Sequence, residues 1–316
     1  MMSVAFHPWA RADSLGGSMP EFASFQDEPP QMRSGAVGKT GFLRLGFERR
    51  SGQTILANLQ RRAPYMVQRA LYCDEAMPGL ASVFLITTTG CVLQGDRLAL
   101  DITLGSRAQV HLTSQSATKI HAMEANYAAQ SQTIALHEGA YLEFLPDPVI
   151  PHRHSRFLSD TQISIASSAT LLFSEIIQSG RKHHRPDECF GATVLSISTS
   201  AARPDGQPLF AEKLVIEPRR YEMRQTGVMN SFDVFANVIL CTPTDTAERI
   251  HERMQAEVNL AEGMAFGACR LPNDAGLIFK VLGRETAQVK AKVREFWGLV
   301  REEVIGAALP PPYLWR

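Results

Sequence analysis

Cysteine is scarce in this chain. Five are spread over 316 residues, at positions 73, 91, 189, 241 and 269, and none forms a C-x-x-C pair. That spacing argues against a zinc ribbon, a redox dithiol and a disulfide framework, so free thiols in a reducing compartment are expected. No apolar run is long enough to span a bilayer, and the first residues lack the basic-then-apolar pattern of a secretory leader. The expectation is a cytoplasmic protein. Neither sign of charge is in excess: 32 Lys and Arg balance 32 Asp and Glu, for a formal net charge of zero. Nucleic acid and anionic membrane are therefore not expected as partners, and the small net charge mildly favours life in a complex. Catalytic signatures are missing as well. There is no G-x-S-x-G, no H-E-x-x-H and no dinucleotide fingerprint. SGAVGKTG (34–41) contains Gly38-Lys39-Thr40, but Arg33 stands where a phosphate loop needs its first glycine and no strand precedes it. An enzyme is not expected, nor an organic cofactor.

What the chain has is β-sequence. From Gly41 to Pro218, short runs such as FLRLGF (42–47), RLALDITL (97–104), AYLEFL (140–145), ATLLFSEI (169–176) and TVLSIS (193–198) are separated by turn residues. Many alternate with period two, so one face is buried. Ala108-Gln-Val110-His-Leu112, Ala140-Tyr-Leu142-Glu-Phe144 and Ala169-Thr-Leu171-Leu-Phe173 repeat one form, each after a small-residue turn. A recurrence of about thirty residues is typical of stacked supersecondary units. The expected fold is mainly β, a β-helix or solenoid-like stack of short strands, with a two-sheet sandwich as the alternative. Two helices are expected, at 245–262 and 286–305, each with an apolar stripe. MAFGACRL and GLIFKVLG between them read as a hairpin. Residues 1–40, poor in aliphatics, read as a flexible extension, and 41–316 as a single β-rich domain.

The candidate site residues are acids and histidines. Asp96 follows the glycine-punctuated turn TTTGCVLQGD (87–96), Glu143 interrupts AYLEFL, and Glu175 sits in LLFSEIIQ. Ionised carboxylates avoid burial unless paired or in contact with an ion or water. Arg69, Lys119 and Arg181 are candidate partners, which would make the acids structural. If instead they line a water-filled passage, they form weak, exchangeable oxygen sites for a divalent ion. His152 and His154 in VIPHRHSRF would share one side of a strand and could meet one metal, as could His183 and His184. A metal-dependent hydrolase or ligand-binding β protein built on His152 and His154 is thus the alternative function, and a β-solenoid with no metal role is a third.

VQRALY (67–72), GCVLQGDRL (90–98), TSQSATKIH (113–121), LEFLPD (142–147), FSEIIQSGR (173–181) followed by Glu188 and Phe190, and the closing PYLWR (312–316) occur in one order. Together these segments resemble the UreD (UreH) family of urease accessory proteins, over roughly residues 41–316. The resemblance implies a β-helix-like body with a pair of helices. It also implies a scaffold that binds UreF-type and UreG-type partners, the latter a GTPase, docks on apo-urease and passes nickel to the nascent active site. On that reading Asp96, Glu143, Glu175 and Glu188 match acidic family positions along a transient nickel passage. Gly90, Gly95, Arg69, Lys119, Gly180 and Arg181 fall in motif positions of structural type. Cys91 and Gln94 depart from the family pattern, standing where glycines are usual.

Overall fold

A computed structural model describes residues 9–27 and 40–312. The phosphate-loop-like 34–39, the first eight residues and the closing 313–316 lie outside the described residues. The first strands are β1 (Thr40–Arg50), β2 (Gln53–Arg62), β3 (Tyr65–Met66), β4 (Ala81–Thr87), β5 (Arg97–Leu104) and β6 (Gln109–Ser114). Next come β7 (Thr118–Ile120), β8 (Ala128–Leu136), β9 (Tyr141–Phe144), β10 (Val149–Pro151), β11 (Arg156–Ile165) and β12 (Thr170–Gln178). The rest are β13 (Val194–Ala202), β14 (Pro208–Ile216), β15 (Val234–Cys241), β16 (Glu257–Asn259), β17 (Met264–Arg270) and β18 (Gly276–Gly283). Helices are α1 (Trp9–Ser14), α2 (Thr244–Glu252) and α3 (Thr286–Ile305).

The molecule is mainly β, and its strands form two open sheets. One has seven strands in the order β14-β13-β11-β8-β5-β1-β2; the other has eleven and runs along β16-β17-β18-β15-β12-β9-β6-β4-β3, with β7 and β10 off that path. Between β4 and β13 the chain passes from one sheet to the other and back. Sequential strands therefore do not pair; β5, β8, β11 and β13 are parallel neighbours in one sheet, and β4, β6, β9 and β12 in the other. The internal repeat explains the register. Val110 lies beside Leu142 and Leu142 beside Leu171, while Leu112 meets Phe144 and Phe144 meets Phe173. Like residues stack on like, and the alternating apolar set points into a core between the sheets that includes Leu43, Leu100, Leu142, Phe144, Phe157 and Phe173.

After β13 the topology changes. β14 returns antiparallel along β13, and β15, β18, β17 and β16 extend the larger sheet as an antiparallel meander. The β17–β18 hairpin read from the sequence is present. A second core forms on the outer face of this sheet, where Val289, Val293, Phe296 and Val300 of α3 cover Leu172, Val238, Leu240 and Phe279. A strand buried on both faces reads as a continuous apolar run, which is why TLLFSEIIQ of β12 does not alternate cleanly.

Two expectations are corrected. The helix expected over 245–262 ends at Glu252, and Glu257–Asn259 instead pairs as β16 with the edge of β17. Unpaired backbone groups on that edge outweigh a helical period whose own Val258 is 75% exposed. Residues 9–27 are also no loose extension. Ala12 packs on Phe42 and Ala99, and Phe22 packs on Tyr127, Ala129 and Leu158 of the outer face of the smaller sheet. Arg11 pairs with Asp101 at 2.5 Å, and Glu21 accepts from Ser196 Oγ at 2.7 Å and Lys213 Nζ at 2.6 Å. The segment has few apolar residues, but small alanines on the sheet give each of them a seat.

No described helix is long and apolar enough to cross a membrane. Cys73 and Cys269 are exposed, and Cys241 is buried, with its thiol pushed up to about 12 by burial.

Candidate functional site

The nominated acids lie in four different settings. Glu143 of β9 is fully buried on the outer face of the larger sheet, beneath α3. Arg301 Nε and Nη2 reach its two oxygens at 2.6 and 3.0 Å, Tyr141 donates its hydroxyl at 2.7 Å, and His111 Nδ1 lies 3.0 Å away. Arg301 also reaches Asp74 at 2.6 Å, and the His111 ring stacks on Trp297 with centroids 5.1 Å apart. Burial alone would raise the pKa of Glu143; the hydrogen bonds from His111 and Arg301 overcome it and hold the carboxyl down at about 2. This acid is locked. Its partner is Arg301 rather than Arg69 or Lys119, which are both exposed.

Glu188 is locked by Arg181, at 2.5 and 3.1 Å, and by the backbone N–H of Arg153. The Arg181 hydrogen bonds hold its carboxyl below the usual range. Gly180 makes the arrangement possible. Its φ is +142°, and a Cβ there would sit 2.1 Å from the Glu188 carbonyl oxygen. Asp96 closes the glycine turn by accepting the Leu93 N–H at 2.8 Å, with Gly90 and Gly95 at φ +68° and +74°. The Gln94 side chain takes up a task of its own there, accepting the N–H groups of Glu124 and Ala125 at 2.7 and 2.9 Å.

Glu175 of β12 is different. It points between the sheets, makes no hydrogen bond or ion pair among the described residues, and keeps part of its surface open to a cavity of about 110 Å³. Gln130, Gln132, Ser159, Ser114 and Tyr65 give this cavity polar lining among Leu98, Leu100, Phe144 and Phe173. That volume holds several waters. Burial, with the charge of Glu212 added, raises the Glu175 pKa to about 8. Tyr65 ties the turn to the cavity: it lines the space, and burial together with the Asp96 charge pushes its phenol up.

The histidine pairs do not converge. Pro151 ends β10, so His152 and His154 sit in a turn rather than on a strand. His152 is buried near His121, with ring centroids 5.5 Å apart; burial, then the Arg181 charge, lowers its pKa. His154 has φ +64° and turns its Nδ1 to Arg219. The His183 side chain is 81% exposed and stands 3.8 Å from Glu285, and His184 is exposed. Among the described residues no group of three or more His, Cys, Asp and Glu is placed to hold a metal ion.

Comparison with known proteins decides the family. The model of the UreD urease accessory protein family matches residues 39–316. The chain belongs to the UreD family. It is 56% identical over 306 residues to the urease accessory protein UreD of Photorhabdus laumondii, covering 97% of this chain and 95% of that one. It is 53% identical over 306 residues to the UreD of Yersinia pseudotuberculosis, with 97% and 95% covered. To urease accessory protein UreD 2 of Brucella suis it is 50% identical over 299 residues, with 95% and 99% covered. Membership implies an accessory role in urease maturation and not a catalytic one.

Sequence reasoning missed Arg301, His111 and Asp74. The first hides in a helical stripe as the residue after Val300. The second was within reach, since overlaying the repeats A-Q-V-H-L and A-Y-L-E-F puts His111 directly beside Glu143.

Proposed function

We propose that this UreD family member is a cytoplasmic scaffold that binds UreF-type and UreG-type partners, docks on apo-urease and lets nickel pass between its two sheets. The winding of strands from β4 to β13, about thirty residues per circuit, is read as a β-helix-like body whose interior carries the passage. The observation that carries the proposal is Glu175, a carboxyl with no hydrogen bond or ion pair among the described residues, beside a polar-lined cavity inside an otherwise apolar core. An acid left unpaired in such a place is costly to folding, and contact with water and a passing cation gives it a use. Nickel here is cargo. Oxygen donors hold it weakly and release it, as transit requires. Glu143 and Glu188 serve as clamps that hold α3 and the 180–190 segment in place, and Asp96 fixes the turn at the Tyr65 end.

The scaffold part draws support from an open groove of about 710 Å³ at the far edge of the sheets, with Tyr221 53% and Val228 44% exposed beside Met223 and Met229. Exposed apolar surface of this kind marks protein contacts. The test is urease activation with purified partners. Glu175→Ala should form the complex with the UreF- and UreG-type proteins yet activate apo-urease poorly. Normal activation by that variant would remove the passage and leave the scaffold, whereas failure of the unaltered chain to form the complex would remove the scaffold.

A further inference from the structure

Past the end of α3 the chain turns back and runs along its own helix. Gly306 caps α3 with φ +73°, and the residues after it are pinned at successive steps towards the start of the helix. Arg301 Nη1 donates to the Ala308 carbonyl at 3.2 Å, Leu309 lies against Gly298, 3.4 Å from where a Cβ would stand, and Arg294 Nη2 donates to the Pro310 carbonyl. Pro310, Pro311 and Pro312 then line a groove of about 410 Å³ between α3 and the outer face of the larger sheet. Its walls include Leu145, Ile176 and Val293, and it extends along α3 past Ala291 and Lys290 to Ala287. Lys290 bridges the two sides by pairing with Asp147 at 2.7 Å. Two polar groups belong to residues of these apolar walls. The Ser174 hydroxyl and the Trp297 indole N–H sit on residues 1% and 7% exposed and have no hydrogen-bond partner among the described residues. Buried groups left in that state are rare and call for a ligand.

Four residues follow Pro312 in the sequence: Tyr313, Leu314, Trp315 and Arg316. We infer that this segment seats in the groove as a strap, its backbone carbonyls accepting from the Trp297 N–H and the Ser174 hydroxyl. The seat does not depend on the passage reading. Lengths agree. From Arg294, which holds Pro310, to Ala287 at the far end of the groove is seven helical residues, about 10 Å. Four residues in extended or polyproline form reach about 12–14 Å. Three prolines lead the chain in, and their fixed φ keeps it extended, so little further freedom is lost on seating. Chemistry agrees as well. Three of the four side chains are large and apolar, and in an extended chain Tyr313 and Trp315 share one side, where aromatic rings suit walls of Leu, Ile and Val. A seated strap ties α3 to β9 and β12 from outside. It also covers Trp297, whose ring stacks on His111 of the Glu143 clamp, so it closes the outer side of that network.

The test uses the full-length chain with the photoreactive residue p-benzoylphenylalanine in place of Trp315. After irradiation and digestion, mass spectrometry should find cross-links within one chain, to residues 145–147, 174–176 or 287–297. Ala291→Trp, at an exposed position on the groove wall, fills the space from the helix side and should lose those links. A second readout needs no photoreactive group. Trp9, Trp297 and Trp315 give three indole N–H resonances in chain labelled with ¹⁵N-tryptophan, and Trp297→Phe identifies one of them. Tyr313→Ala combined with Leu314→Ala should move the Trp297 resonance upfield, as loss of a hydrogen bond does, while the Trp9 resonance stays in place and reports that the rest of the fold is intact. Cross-links that fall outside the groove, or a Trp297 resonance that does not move, would overturn the seat. So would cross-links between two chains, which would make a second copy the occupant.

Discussion

Glu143 and Glu175 both interrupt apolar β-strands, and β9 and β12, which carry them, are neighbours in one sheet. One faces out beneath α3 and the other faces in towards the cavity. Glu143 has its oxygens filled by Arg301, Tyr141 and His111, and its carboxyl is held at about 2. Glu175 has no hydrogen bond or ion pair among the described residues, and its carboxyl is raised to about 8. The same residue type in the same sequence context thus serves opposite ends. A buried acid with a complete set of donors fastens elements together, here α3 and the Asp74 loop to the sheet. A buried acid without donors is a destabilised group, and its presence is explained by what comes to it.

The comparison breaks most sharply if Glu143 is made to resemble Glu175. Arg301→Met removes the guanidinium that bridges Glu143 and Asp74, leaving two buried carboxylates without their shared cationic partner. Breaking a buried pair from one side costs about 3–5 kcal/mol. Denaturant unfolding of this variant should show a loss of that size, and adding Glu143→Gln should restore part of it, since two neutral groups carry no uncompensated charge. A loss under about 1 kcal/mol would mean that the network contributes far less than burial of this kind implies.

The pH dependence sharpens the same contrast, because the two acids act with opposite sign. The Glu143 carboxyl is below its ordinary 4.5 in the folded protein, so its stabilising contribution is complete above that value and is lost as pH falls towards 2. The Glu175 carboxyl is above its ordinary 4.5. Between about 4.5 and 8 the folded chain keeps a proton that the unfolded chain releases, so stability declines as pH rises through that window and levels off above it. The slope is at most about 1.4 kcal/mol per pH unit. In metal-free protein, Glu175→Gln should flatten stability between pH 5 and 8 and leave the acid limb below pH 4.5 intact. An unchanged slope in the neutral window would show that Glu175 ionises normally.

These sign differences were not legible from the residues alone. Period-two alternation and the A-x-aliphatic repeat show the stacked strands, because the same step recurs at each circuit and like residues must fall in register. Glu143 and Glu175 look alike in that pattern. What separates them is which face each takes and what stands opposite, and Arg301 lies 158 positions from Glu143. The α2 stripe misled for a related reason: its period continues through Val258, but the open edge of β17 offered backbone pairing that a local pattern does not contain. Residues 9–27 were misread from their average composition, when a few apolar side chains over Ala99 and Ala129 are enough to seat them.

The smallest expected effect belongs to groups on neither side of the comparison. His152 and His154 looked like metal ligands because histidines two apart share a face on a strand, and His183 and His184 because two imidazoles adjoin, but a turn holds the first pair and solvent surrounds the second. His154 meets Arg219 and His183 stands 3.8 Å from Glu285, and neither lines the cavity that Glu175 faces. Replacing both by alanine should change unfolding free energy by no more than about 0.5 kcal/mol, as for most exposed positions. Urease activation by the double variant should equal that by the unaltered chain. If it fell, surface histidines would take part in nickel delivery, and the unpaired state of Glu175 would need another explanation.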